Sequence, residues 1–415
     1  MTHGASQRTR RAIVWLCRIL AGATFIISGW AKCVDPYGFV YKIQEYLGAW
    51  NLTGVFPADI ILVGSAGLSL FELIVGVMLL TGCMKRFAPL AGLAMMAVML
   101  PLTVYLYIAS PVSDCGCFGD LIVLSDGATL LKNIILTALL VMALLWGGAA
   151  SPLYRPGLQW LVIVLTAAYG LLTAIIGWNI QPVVDFRPYA PGRTLISQVE
   201  ESMPEYIYEK DGEQRVFTLD SLPDDSWTFV RQQSAAAEGD GGLAVFDGDE
   251  EVTADALECA GSELFILTVL DPGADYLTRA RLANEFSETL AGRGARLVAL
   301  VAASGEALDI WKDLARPRYE VYSVSDTSLK QLARGKSALV AVDDCRVAWK
   351  INFAALDPAM VRRPDLISAL KPVDNGDIAV KMAGAYLFAM LLLAVIDRSL
   401  RRRRKPAPAL DEADI

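Results

Sequence analysis

Six stretches of the chain are apolar over roughly twenty residues: 12–31, 59–82, 87–109, 129–150, 158–180 and 379–397. A helix needs about 20 apolar residues to cross the bilayer core, so each stretch is predicted to span a membrane. The first carries Arg18 inside it and has no small-x-small cleavage site before Asp35, so it reads as a span and not as a removed signal peptide. Pro89 falls in the first turn of span three, where proline is tolerated. Pro101 lies deeper and predicts a kink there. Between spans five and six the pattern changes. Pro182 to Pro191 is proline-rich and predicts a linker over 181–194. A domain of ordinary polarity follows over 195–371. Within it, Glu263–Leu270 predicts a strand ended by the turn Asp271-Pro272-Gly273, and Ala280–Leu290 has helical period. Strand Arg296–Ala302, helix Ala307–Leu314, strand Glu320–Val324 and helix Thr327–Ala333 follow. The series ends in a hairpin of Ala338–Val342 and Val347–Ile351 around Asp343-Asp344. Strands alternating with helices and closing on a hairpin predict an α/β layer fold.

Composition agrees with this division. The hydrophobic fraction of 54% and mean hydropathy of +0.41 exceed those of an ordinary soluble protein. The net charge of −8 argues against nucleic acid as a partner. The basic residues that stand out flank the spans. Arg8, Arg10 and Arg11 precede span one, Lys85 and Arg86 join spans two and three, Arg155 lies between four and five, and Arg401–Lys405 follow six. With six spans, all four sites fall on one face, which the positive-inside rule assigns to the cytoplasm. The lipid bilayer is therefore the predicted partner, as a multi-pass protein of a bacterial inner membrane. Both tails, 1–11 and 398–415, are predicted to be cytoplasmic. Regions 32–58, 110–128 and 181–378 then face an oxidising compartment, where thiol chemistry is permitted.

The single histidine, His3, lies in a polar tail. Histidine-based acid–base chemistry and Cys/His metal sites lose their usual residue, and no metal site is predicted. The candidate chemistry lies between spans three and four, in Ser113-Asp114-Cys115-Gly116-Cys117-Phe118-Gly119-Asp120. A thiolate is the nucleophile of disulfide exchange. A Cys-x-Cys bridge closes a small strained ring, and strain makes a disulfide easier to reduce. Cys115 and Cys117 are thus candidates for a redox pair, with Asp114 beside them; the bland alternative is a structural turn. Glu72 lies inside span two, where a carboxylate is costly and a functional candidate by default. The alternative is a structural partner for a buried hydroxyl, an amide or Arg18. Lys32, Asp35, Lys42 and Glu45 sit at the outer end of span one. They either line a site near the cysteine loop or serve as solvated caps, and the bare sequence favours caps. Cys33 is a candidate third, resolving thiol. Cys17 and Cys83 read as a core residue and a reduced cytoplasmic-side residue.

The runs Ser28-Gly29-Trp30-Ala31-Lys32, Asp35-Pro36-Tyr37-Gly38 and Tyr41-Lys42-Ile43-Gln44-Glu45-Tyr46-Leu47 resemble the DoxX/MauE superfamily. The run Pro111 to Asp120, with Lys132-Asn133 at the start of span four, is similar to its MauE branch. The resemblance covers about 12–150 and implies a four-helix membrane bundle, to which 151–180 adds a fifth span. It further implies a role in methylamine utilisation, where such proteins are held to assist maturation of a disulfide-rich dehydrogenase subunit beside a thioredoxin-like partner. The wider group includes quinone-linked sulfur oxidoreductases, which makes quinone the candidate acceptor. Four-span bundles that pass electrons between thiols and quinone, of the vitamin K epoxide reductase type, are similar in architecture alone.

The order of elements over 195–371 resembles a thioredoxin-like domain, as do Asp326-Thr327 with Leu329-Lys330 and the hairpin ending Trp349-Lys350. Two departures stand out. The position of the Cys-x-x-Cys motif reads Leu270-Asp271-Pro272-Gly273-Ala274-Asp275, and the cis-proline position reads Gly335-Lys336-Ser337-Ala338. The domain should carry no dithiol chemistry of its own and should bind or position something. In such a sheet the central strand runs antiparallel to the first hairpin strand, so the resemblance implies a structural Cys259–Cys345 disulfide. The fold class expected is an α-helical membrane bundle, with a DoxX/MauE-like four-helix core and two further spans, carrying an α/β thioredoxin-like extracytoplasmic domain. Two functions follow: a membrane thiol–disulfide or protein-maturation factor, with an extracytoplasmic client or thioredoxin-like partner, and a non-enzymatic assembly scaffold. A transporter ranks third, because no inverted repeat or broken-helix pair is visible.

Overall fold

A computed structural model of the chain describes residues 2–112, 114–195, 205–210, 213–218, 223, 227–233, 243–259, 263–273, 279–357, 359 and 375–403. Ser113, Ala274, Asp275, the end of the domain over 360–371 and the tail 404–415 lie outside the described residues. The chain divides into two compact units, one of Met1–Trp178, Pro182–Val184 and Val373–Ile415, the other of Asn179–Gln181 and Asp185–Pro372.

The first unit is helical. Its elements are α1 (Thr2–Val34), α2 (Pro36–Ala49), α3 (Ala58–Thr81), α4 (Phe87–Ala109), α5 (Asp126–Leu145), α6 (Pro156–Asn179) and a C-terminal helix (Asn375–Arg403). Six of these are long and apolar enough to cross a membrane: Gln7–Val34, Ala58–Thr81, Phe87–Ala109, Asp126–Leu145, Pro156–Asn179 and Gly376–Arg401. α2 is the exception, a fourteen-residue helix that the apolar pattern does not reveal. Asp35 starts it by accepting the amide of Gly38 at 2.9 Å, with Pro36 at the first helical position. Pro101 lies inside the continuous α4.

Small residues bring α1 and α3 together. A Cβ on Gly29 would lie 2.4 Å from the Leu73 amide nitrogen, and one on Gly76 would lie 2.6 Å from that of Ile26. In lipid, such backbone contact replaces the hydrophobic drive that packs helices in water. Around it lies a core of Phe25, Met78, Leu79, Met96, Leu136 and Leu140. The C-terminal helix joins this unit through polar contacts. Its Asp397 accepts Arg155 Nε at 2.8 Å and Arg401 Nε at 2.5 Å, Tyr386 stacks on Tyr169 at 4.8 Å, and Tyr154 donates to the Met390 carbonyl at 3.1 Å.

Among its described residues, the second unit holds two sheets. Strands β1 (Glu205–Lys210), β2 (Glu213–Thr218) and β3 (Thr228–Gln233) form an antiparallel sheet in the order β2-β1-β3. The larger sheet contains β4 (Val245–Asp247), β5 (Glu250–Glu251), β6 (Leu264–Val269), β7 (Arg296–Val301), β8 (Glu320–Val324), β9 (Ser337–Asp343) and β10 (Arg346–Asn352), in the order β10-β9-β6-β7-β8-β4-β5. β6, β7 and β8 are parallel, and β9 is antiparallel to both β6 and β10. Every residue of β6 is buried, as expected of a strand covered on both faces. Phe265, Leu267 and Val269 pack with Phe286 and Trp311 of the helices Ala280–Ala291 and Gly305–Ala315. Leu264 and Ile266 pack on the other face with Leu257 and with Leu329 and Leu332 of helix Asp326–Leu332. The strands from β6 onward fall within a residue or two of their expected bounds; β1 to β5 are elements the sequence reading does not contain. The segment read as a linker packs here too. Gly192 and Leu195 donate to the Val347 and Cys345 carbonyls at 2.7 and 2.9 Å, extending the sheet past β10.

Candidate functional site

The cysteine loop follows α4, which ends with Ser110 in a left-handed conformation. Gly116 continues the turn at φ +64°, with Gly119 at +55°. Asp114 fixes its shape by accepting the Gly116 amide at 2.5 Å. The turn points both thiols inward. Cys115 and Cys117 are free and buried, and their sulfurs lie 2.9 Å apart. A disulfide needs about 2.05 Å, so the pair can close with small local motion. Tyr46 of α2 holds the Cys115 carbonyl at 3.3 Å, and Ser28 of α1 holds that of Cys117 at 2.5 Å.

Beneath the loop lies a chain of charges. Lys32 donates to Ser28 Oγ at 3.2 Å and to Glu72 Oε2 at 2.7 Å. Both partners of this ion pair are buried. The solvated-cap reading therefore fails for Lys32, and Glu72 pairs with Lys32, whereas Arg18 reaches the Gly147 carbonyl. Asp35 does act as a helix cap, from a buried position. Lys42 packs against Gly116 and bridges Glu45 at 2.7 Å and Asp114 at 3.1 Å, tying α2 to the loop. Lys132 of α5 stands 4.6 Å over the Phe118 ring and acts on the Cys117 thiol.

The two thiols differ. The hydrogen bond between them pulls Cys117 below the usual thiol range; burial opposes this, and Lys132 and Lys32 reinforce it. The same hydrogen bond raises Cys115, with burial adding to the rise. Cys117 is therefore the sulfur suited to carry negative charge.

The structure brings Cys115, Cys117, Asp114, Lys32 and Glu72 into one neighbourhood, with Asp35 at the start of α2. Cys33 is buried and faces Gly170 of α6. Sequence reasoning missed Ser28 and Tyr46 as supports and Lys132 as a member of the site. The available signal was a lysine within an apolar span, where an ionisable residue is functional by default. Cys259 and Cys345 form a disulfide in the second unit, with Cα atoms 5.1 Å apart. The turn after β6 carries no cysteine among its described residues, 270–273.

A bundle of apolar helices with an ion pair buried among them and two adjacent thiols on one loop defines a multi-pass membrane protein with a candidate thiol site. Residues 10–147 match the family model of the methylamine utilisation protein MauE, so this part of the chain is similar to that family. A domain of unknown function, DUF8463, matches residues 204–236, across β1 to β3. No curated protein and no solved structure matches the chain.

Proposed function

We propose that the chain is a thiol–disulfide exchange or protein-maturation factor acting through Cys115 and Cys117 at the outer face of a bacterial inner membrane. The observation that carries this reading is the pair of buried sulfurs 2.9 Å apart, beside two lysines of neighbouring spans. One thiolate attacks a disulfide sulfur, and the second resolves the mixed disulfide. The MauE-type match over 10–147 supports the reading, and a quinone is the candidate acceptor for returning the pair to the disulfide. The second unit, in this proposal, is an extracytoplasmic thioredoxin-like domain without a dithiol. Its sheet order around β6 and β9 favours that identity, and the absence of cysteine over 270–273 suits a role in holding a protein client or a thioredoxin-like partner. Alkylation trapping in intact cells tests the proposal. Cys115 and Cys117 are expected to shift between reduced and oxidised forms when respiratory quinone is depleted, and a Cys115→Ser/Cys117→Ser protein should lose function. A pair that never changes state, with full function in the double variant, leaves only the scaffold reading. That reading draws on the same cysteine-free turn and expects a partner that co-purifies with the double variant.

A further inference from the structure

On the thiol-exchange reading, the surroundings of the two sulfurs give them different tasks. Cations of two helices act on the Cys117 thiol. Lys132 comes from α5, and Lys32 comes from α1, where Glu72 of α3 holds it at 2.7 Å and Ser28 connects it to the Cys117 backbone. Cys115 has Tyr46 on its carbonyl and at its thiol and Cys117 as its sulfur neighbour; Lys132 acts on it through charge alone, whereas Lys132 also hydrogen-bonds the Cys117 thiol. We infer that Cys117 is the leaving sulfur when a Cys115–Cys117 disulfide opens, that Lys132 and Lys32 are positioning residues for its thiolate, and that an incoming protein thiolate attacks Cys115.

The reaction balances as a single turnover. A client thiolate attacks Cys115 Sγ. The Cys115–Cys117 bond breaks, a client–Cys115 bond forms, and Cys117 departs with the electron pair as a thiolate. The client's second thiol then gives up its proton and attacks its own sulfur in the mixed disulfide. A client disulfide forms, and the Cys115 thiolate leaves and takes up a proton. Two electrons move from client to protein, and the proton given up by the client's second thiol balances the one taken up by Cys115. A thiol with the lower pKa leaves faster, and stabilising the reduced form makes a disulfide a stronger oxidant. The depressed Cys117 thiol agrees with both statements. The direction favoured is thus oxidation of a client dithiol.

The test uses the full-length protein in detergent, equilibrated with glutathione buffers, with Cys115 and Cys117 read by differential alkylation and mass mapping. Lys132→Met is expected to move the equilibrium toward the disulfide by about tenfold, or roughly 30 mV, and Lys132→Arg to stay within about threefold of the parent. Rapid acid quench of the oxidised protein with a two-thiol peptide should trap the peptide on Cys115. A Lys132→Met protein that exchanges with the parent's equilibrium, or peptide trapped on Cys117, overturns the assignment while leaving thiol exchange intact. A parent protein whose pair exchanges with neither reagent overturns both. The Lys132→Arg protein separates loss of charge from loss of fold.

Discussion

Gly116 shows how much of the site rests on one missing side chain. Its φ of +64° is a conformation that costs other residues about 1–2 kcal/mol, and a Cβ there would lie 2.6 Å from Cγ of Lys42. A Gly116→Val change should push Lys42 off the loop and loosen its bridges to Glu45 and Asp114. The expected outcome is faster maleimide labelling of Cys115 and Cys117 in the reduced protein, read by mass mapping, with the rest of the bundle unchanged. A second buried cluster lies in the other unit. Asp185 accepts Arg187 Nε at 2.7 Å and Lys350 Nζ at 2.9 Å, and all three side chains are almost fully buried. Burial alone would raise Asp185, but Arg187 and Lys350 outweigh it and hold the carboxyl well below the usual range. Burial pushes Lys350 down to about 7, with Arg187 adding to the drop. An Asp185→Asn change leaves two cations without their carboxylate and should cost about 3–5 kcal/mol. Two pH dependences follow. The stabilisation from Asp185 is complete above the ordinary carboxylate range and is lost as pH falls through its depressed folded value. Between about 7 and 10.5 the folded chain binds fewer protons at Lys350 than the unfolded chain, so stability rises with pH across that window. Pulse proteolysis in urea at a series of pH values reads both trends, and Asp185→Asn should remove the acid limb.

Among the elements, α1 and α3 carry the site, and their contact is built from glycine. Gly29 meets the backbone of Leu73, one residue beyond Glu72, and Lys32 lies one turn further along α1. This contact sets the Lys32–Glu72 distance. Breaking a buried pair at one end strands a charge, whereas removing both ends can be nearly neutral. Glu72→Gln alone should destabilise the bundle by about 3–5 kcal/mol, and Lys32→Met/Glu72→Gln together should recover most of that loss. A double-mutant cycle on thermal unfolding in detergent measures the coupling; additive losses would remove the pair from its structural role. The same elements show what the sequence could reveal. The spans were legible because twenty consecutive apolar residues have few other uses. The strands from β6 onward were legible because turns separate them and β6 is apolar throughout. α2 was not, since it is short and only partly buried, and its cap was visible only as an Asp-Pro pair. β4 and β5, of three and two residues, are too short to show a period. Lys132 was read as one letter of a motif, although its place inside an apolar span was the physical signal. The pairing of Lys32 with Glu72 joins residues forty apart in sequence through the approach of two helices, which no local pattern encodes.

For the molecule as a whole, the proposed topology of six spans would place both tails, 1–11 and 398–415, on one side of the membrane. The insertion between spans five and six would then lie on the opposite side from those ends. In the proposed topology, the positive-inside rule predicts the cytoplasmic side for the ends, with Lys85, Arg86 and Arg155, and the outer face for the cysteine loop and the sheet unit. Single reporter cysteines can test this because the native ones give little background. Cys17, Cys33, Cys83, Cys115 and Cys117 are buried, and Cys259 and Cys345 are bonded to each other. Ser304 and Lys85 are both exposed, one before helix Gly305–Ala315 and the other in the turn between α3 and α4. A Ser304→Cys protein in intact spheroplasts should react with a membrane-impermeant maleimide at once. A Lys85→Cys protein should react only after the membrane is opened by detergent. The reverse pattern would put the thiol loop in a reducing compartment, where a Cys-x-Cys pair would rest as free thiols and the proposed oxidation of a client dithiol could not be sustained.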